Sequence, residues 1–397
     1  MSNKYYSPLH PNPGVQVEMD FICKVLANEL FPDRELTEPP KNLNWSILAK
    51  LLELHRLTSL FHTILSNRKE SFPKPFLLRL RKARYELLIY GDGCLPQVTD
   101  ILSSLVDSNI SVIVLKGWAL IPTFYEGDYA QRYCEDIDIL IRPQDLDQVE
   151  TILKSLKYGG FPEVHPGYSR RFTNARAYLR ADSESNHLWT FSIGLHWGLT
   201  HYPFFDKDRV QINDLFDRAR RLEIEGINIL QLSAEDDLIY SCAHLSLHHR
   251  NQETFLQYYE IAIKLLLNLD TLNWVQIFER ASLWGYSVQL KKILVDLERL
   301  WPGILPDAVV RSLADFVSPR KEEFLDLMVA HTKGKVFRSS LIQFLFMPSW
   351  RDKIVSLVQQ LFPSRKYMQI RYRSLDYPLS ILYIYRFIDS VISVIKD

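Results

Sequence analysis

Along most of the chain, apolar residues recur at three- and four-residue intervals, and that period predicts helices. Within 45–65, Leu48, Leu51, Leu52 and Leu60 follow it, and similar patterns cover about 15–30, 76–90 and 95–108. Pro39 and Pro40, then Pro73 and Pro75, separate these stretches. A further helix is predicted over 144–156, with Leu146, Val149, Ile152, Leu153 and Leu156 on its apolar side. Past Ser233 the helical period returns over 254–269, over two segments of 273–300 broken near Gly285, over 319–346 and over 376–397. Ser233-Ala234-Glu235-Asp236 opens that region as a capping box with Asp in place of Glu.

Two stretches between these helices carry a different pattern. Ser111 to Leu115 is almost continuously apolar, as in a strand buried on both faces. It ends at Lys116-Gly117, where glycine permits a positive φ and a close approach. A helix starting near Trp118 points its unpaired amide groups and positive dipole end at that turn, which suits a phosphate. The second stretch, Glu135 to Ile141, alternates. As a strand it places Asp136 and Asp138 on one face and Ile137, Ile139 and Ile141 on the other.

Side chains two apart on a strand are about 7 Å apart. At an effective dielectric near ~20, two carboxylates at that distance repel by roughly 2 kcal/mol. A Mg²⁺ ion relieves the repulsion and suits a phosphate-binding site, since it takes a few carboxylates plus phosphate oxygens. A strand end open to water, with Arg132 and Arg142 pairing the acids, accounts for the same residues. Further on, Tyr158-Gly159-Gly160 reads as a helix terminus. A hairpin is predicted with strands 168–179 and 187–197 and its turn at 181–186. Its return strand puts Phe191, Ile193, Leu195 and Trp197 on one face and Ser192, Gly194 and His196 on the other.

Composition narrows the classes. The chain has 397 residues, 47 Lys+Arg and 47 Asp+Glu, so its formal net charge is zero. That argues against broad, sequence-independent nucleic-acid binding. The basic side of 76–90, with Arg79, Arg81, Lys82 and Arg84, reads as a solvated face. Cys23, Cys94, Cys134 and Cys242 form no C-x-x-C pair, hence no zinc site or disulfide framework. No apolar run approaches the ~20 residues of a membrane span; the cytoplasm is the expected location. The last segment, with Arg365-Lys366 and Arg371 to Arg373 before it, packs back on the protein or lies on a membrane surface or partner. His244 and His248 share a helical face, but Leu245 stands where a zincin motif needs Glu.

Leu115-Lys116-Gly117, Arg132 and Asp136-Ile137-Asp138-Ile139-Leu140-Ile141 together resemble the signature of the polymerase-beta-like nucleotidyltransferase superfamily. More closely they resemble the bacterial "uncharacterised nucleotidyltransferase" family, with flanking similarity at Leu54-His55-Arg56 and Leu195-His196-Trp197. The resemblance implies an α+β fold, a small mixed nucleotidyltransferase sheet with all-helical regions before and after it. The expected organisation is a helical region 1–95, a core 96–232 and a helical region 233–397. It implies transfer of a nucleoside monophosphate from an NTP to an acceptor such as a small molecule, a peptide or RNA. Asp136 and Asp138 would be catalytic and hold Mg²⁺ or Mn²⁺, while Lys116, Gly117, Trp118, Arg132 and His196 would line the nucleotide site. The superfamily usually adds a third carboxylate, and here Gly194 occupies that place. Either two aspartates suffice, or Glu163, Asp182, Glu184 or Asp206 substitutes, or the protein binds nucleotide without efficient turnover. A toxin-like enzyme that nucleotidylates protein or tRNA is the other alternative. Glu260, set among aromatic and aliphatic residues, is expected as a buried partner for His244 or His248.

Overall fold

The computed structural model describes residues 7–34, 37–66, 72–180, 191–200, 209–249, 252–330, 344, 347, 349–372 and 377–396. It is a mixed α and β architecture. Four helices come first: α1 (Gln16–Leu30), α2 (Trp45–Leu54), α3 (Thr58–Ile64) and α4 (Lys74–Asp107). The middle of the chain runs β1 (Ile113–Leu115), α5 (Lys116–Thr123), β2 (Asp136–Leu140), α6 (Leu146–Ser155), β3 (Tyr158–Gly160), α7 (Tyr168–Phe172), β4 (Ala175–Arg180) and β5 (Ser192–His196). It closes with α8 (Ile212–Arg218), β6 (Arg220–Ile224) and β7 (Ile227–Gln231). Helices follow: α9 (Ala234–His248), α10 (Phe255–Leu267), α11 (Trp274–Trp284), α12 (Ser287–Leu300), α13 (Asp307–Asp315), α14 (Arg320–Ala330), α15 (Trp350–Leu361), α16 (Arg365–Arg371) and α17 (Leu379–Lys396).

The strands form one seven-stranded sheet in the order β3-β4-β5-β2-β1-β7-β6. β2 lies at its centre, antiparallel to β1 and parallel to β5. Each side of the sheet is covered. Val112, Val114, Ile137, Ile139 and Ile141 pack with α4 and α6. Ile113, Leu115 and Leu140 join a core made by the helices that precede and follow the sheet. β1 is therefore buried on both faces, as its apolar run predicts.

Local chemistry sets the starts of α9 and α10. The Ser233 hydroxyl accepts the Asp236 amide N–H at 3.2 Å and opens α9. Thr254 and Gln257 form a reciprocal capping box at α10.

Several expectations are corrected. The stretch 45–65 is two helices, because Arg56 takes a left-handed φ of 60° between them. The stretches 76–90 and 95–108 are one helix, continuing through Gly91 and Pro96. Gly91 is there for packing, since a Cβ would lie 2.1 Å from the Tyr129 ring. Tyr158-Gly159-Gly160 is the edge strand β3, and the turn before it is made by Lys157 at φ 65°. Tyr168–Phe172 is a short helix rather than strand, so the hairpin begins at Ala175. Its predicted turn, with Asp182 and Glu184, lies outside the described residues, as does Asp206. The hairpin β6–β7 was not anticipated.

Candidate active site

The face of β2 that bears Asp138 packs into the helical core at Leu140 but does not close on the helices at Asp136 and Asp138. It opens into a cleft of about 800 Å³, whose far wall is α9 and α10. β1 delivers Leu115 to the edge of the cleft, and the chain turns at once into α5. The left-handed residue at this turn is Lys116, with φ 56°; Gly117 is not in that region. A non-glycine residue there is strained, a feature that clusters at functional sites. Gly117 is needed for a different reason: a Cβ would lie 2.7 Å from Cys134 Sγ and 3.0 Å from Arg132 Cζ. α5 begins with no side-chain cap, so its first amide groups are left to the cleft or to solvent. The Trp118 ring is buried against Phe191, 6.2 Å between centroids, and cannot serve as a stacking platform.

Asp138 is the most constrained group. The strand register puts it directly between Leu115 of β1 and Gly194 of β5. Lys116 Nζ lies 2.7 Å from its Oδ2, and His196 Nε2 lies 2.8 Å from its Oδ1. Burial alone raises the Asp138 pKa, but Lys116 and His196 outweigh it and hold the carboxyl well below the usual carboxylate range. Burial likewise works against the Lys116 charge, yet Asp138 holds its pKa above the usual lysine value. Gly194 has a steric explanation. A Cβ there would sit 2.2 Å from Asp138 Oδ1 and 3.2 Å from His196 Nε2. The space over Gly194 is taken by the Asp138–His196 contact.

Asp136 is different. It lies at the exposed start of β2, and its carboxylate makes no hydrogen bond or salt bridge with any described residue. Burial around the carboxyl and the Asp138 charge push its pKa up to about 6, against the usual 3.8. An acid held in this way, beside a second acid paired with the Lys116 ammonium, fits a divalent ion that arrives with phosphate oxygens. Among the described residues there is no cluster of three or more His, Cys, Asp or Glu side chains suited to a resident metal.

The remaining predicted residues have other partners. The Arg132 guanidinium forms a two-point ion pair with Glu260, through Nε to Oε1 and through Nη2 to Oε2 at 3.2 Å. Glu260 also accepts from Tyr125 Oη at 3.4 Å, so its expected pairing with His244 or His248 is replaced by these contacts. Arg132 thus ties the loop before β2 to α10. Arg142 stacks on Phe216, its Cζ 4.1 Å from the ring centre, and does not pair the aspartates. Glu163 is engaged by the Gly167 and Ser169 amide groups and by Arg176.

His244 and His248 both line the cleft, their rings stacked 4.9 Å apart at 19°. Burial, then Lys116 and the neighbouring imidazoles, keep the His244 pKa well below the usual histidine range. Sequence reasoning missed Arg56, Tyr240 and Lys264 on the cleft walls. Arg56 reaches Glu135 at 3.4 Å; Lys264 reaches Asp237 at 2.8 Å. Tyr240 and Lys264 have a legible signal in retrospect, since Tyr240 is one helical turn before His244 and Lys264 one turn after Glu260.

Residues 41–302, from before α2 to just past α12, match the model of a family described as "uncharacterised nucleotidyltransferase". No curated protein matches the chain. The matched span contains both walls of the cleft. The chain belongs to the uncharacterised nucleotidyltransferase family, which gives it a general nucleotidyltransferase function with a nucleotide as partner.

Proposed function

We propose that this protein transfers a nucleoside monophosphate from an NTP to an acceptor, with Asp136 and Asp138 as the catalytic carboxylates. The observation that carries the reading is the pair itself: two acids on one strand face, open to one cleft, next to an uncapped helix start at a lysine turn. Asp136 and Asp138 would hold Mg²⁺ or Mn²⁺ together with the triphosphate. When bound, such an ion neutralises phosphate charge and steadies an in-line displacement.

The chain's own residues support the rest. Lys116 is a point charge already poised at Asp138, and a triphosphate offers its ammonium an alternative partner. The Gly117 and Trp118 amide groups lie at the positive end of α5, where phosphate oxygens are favoured. His196 fixes the orientation of Asp138 from the neighbouring strand. Arg132 contributes by holding the cleft walls together through Glu260 rather than through a phosphate contact.

A second reading is favoured by one observation, the filled space over Gly194. It is a protein that binds NTP with its metal but transfers slowly or not at all. Incubation with α-labelled NTP, Mg²⁺ or Mn²⁺ and acceptors of each class separates the two. The first reading expects label on an acceptor that disappears in Asp136→Asn. Metal-dependent NTP binding without label on any acceptor supports the second, and absence of NTP binding overturns both.

A further inference from the structure

The family match ends at residue 302, and the helices beyond it include a segment packed inside out. α15 meets the core through polar groups. Asp352 Oδ1 lies 2.6 Å from Arg171 Nη2, and the Tyr168 hydroxyl sits 3.1 Å from Ser356 Oγ and 2.7 Å from Gln360 Nε2. The Ser364 amide donates to the Val164 carbonyl at 2.7 Å. The opposite face is apolar and exposed: Trp350, Ile354, Leu357, Val358, Leu361 and Phe362, at the spacing of one helical stripe. Trp350 is 76% and Phe362 68% exposed. α16 and α17 pack through apolar groups but also leave an apolar face exposed. Met368, Tyr372 and Leu382 form a small core between them, while Ile381, Ile384, Phe387 and Ile388 remain exposed.

The charges around this surface are mostly basic, and α17 adds Arg386 and Lys396 against Asp389. Residues 350–372 hold Arg351, Lys353, Arg365, Lys366 and Arg371 against a single acid, Asp352, which is turned inward onto Arg171. A second copy of the chain would set this positive face against itself. Nucleic acid would accept the charge but gives no home to a stripe of aliphatic side chains. A bilayer of anionic lipid matches both features, headgroups with the cations and acyl chains with the stripe. Among the described residues no helix is long and apolar enough to cross a membrane. We propose that the α15–α17 face is a peripheral docking surface for an anionic lipid bilayer.

The test is flotation of the full chain with vesicles of phosphatidylcholine alone and of phosphatidylcholine with phosphatidylserine. Binding is expected only to the second and weakens with added salt. Arg365→Glu with Lys366→Glu reduces partitioning by at least about tenfold. Trp350→Ser with Phe362→Ser reduces it comparably, and both variants keep the wild-type melting temperature because the replaced side chains are exposed. Failure to bind phosphatidylserine vesicles overturns the proposal, as does equal binding to both vesicle types. A dimer in sedimentation that Trp350→Ser with Phe362→Ser dissolves would assign the face to self-association instead and also overturns it.

Discussion

At the scale of single residues, Asp136 and Asp138 have opposite relations to the free protein. Asp138 is held by Lys116 and His196, whereas Asp136 has no such partner among the described residues. Because burial and Asp138 raise the Asp136 pKa from 3.8 to about 6, the folded chain keeps a proton there that the unfolded chain has released. Its contribution to stability is therefore lost as pH rises through that window. Asp136→Asn is expected to raise the melting temperature of the free protein at pH 7 while abolishing transfer. A lower melting temperature would show that Asp136 is a structural group. Gly194 gives a second residue-scale prediction. With no room for a Cβ beside Asp138, Gly194→Ala is expected to cost about 1–3 kcal/mol in chemical denaturation. An unchanged midpoint would mean that His196 and Asp138 yield easily. The aspartates and their shared face were legible in the sequence, because strand alternation fixes them. The meaning of Gly194 was not, because it depends on a cross-strand neighbour far away in the chain.

At the scale of elements, a buried ion pair ties the loop before β2 to α10 across the cleft. Arg132 and Glu260 have side chains only 13% and 10% exposed. Removing one partner strands a buried charge, so Glu260→Gln or Arg132→Met is expected to destabilise by about 3–5 kcal/mol, measured by urea denaturation. Replacing both with residues of similar volume recovers most of that loss. Equal losses in the single and double variants would contradict the tie. Helix starts, the buried β1 strand and the alternation in β2 were readable from local pattern. The β6–β7 hairpin was passed over although Leu222 and Ile224, then Ile227 and Ile229, do alternate. Its turn is Glu225-Gly226, both left-handed, and Glu is a weak turn signal beside Asn or Asp. The expected helices 76–90 and 95–108 are one helix, because the local preferences of Gly91 and Pro96 between and within them are overridden by packing and helix length.

At the scale of the whole molecule, the helices before and after the sheet are joined. Met19, Phe21, Ile22 and Leu26 of α1 share a core with α10 and α12, and the Trp301 indole N–H donates to the Cys23 carbonyl at 3.1 Å. Although the family match begins at residue 41, a chain lacking residues 1–34 is expected to lose its cooperative thermal transition, followed by circular dichroism. An unaltered transition would show that α1 is dispensable. The long-range closure of this core has no local signature, which is why sequence pattern gave the helices but not their union. That closure places α9 and α10 over the aspartates and so makes the cleft. The cleft is expected to hold a nucleotide with its cation at Asp136 and Asp138. That expectation is tested most directly by a crystal grown with Mn²⁺ and a non-hydrolysable NTP, read by anomalous scattering. The account predicts a manganese peak bonded to both carboxylates and to phosphate oxygens, with the Lys116 ammonium moved from Asp138 to the triphosphate. A nucleotide bound elsewhere, or bound in the cleft with Lys116 still on Asp138 and no manganese at either acid, would contradict it.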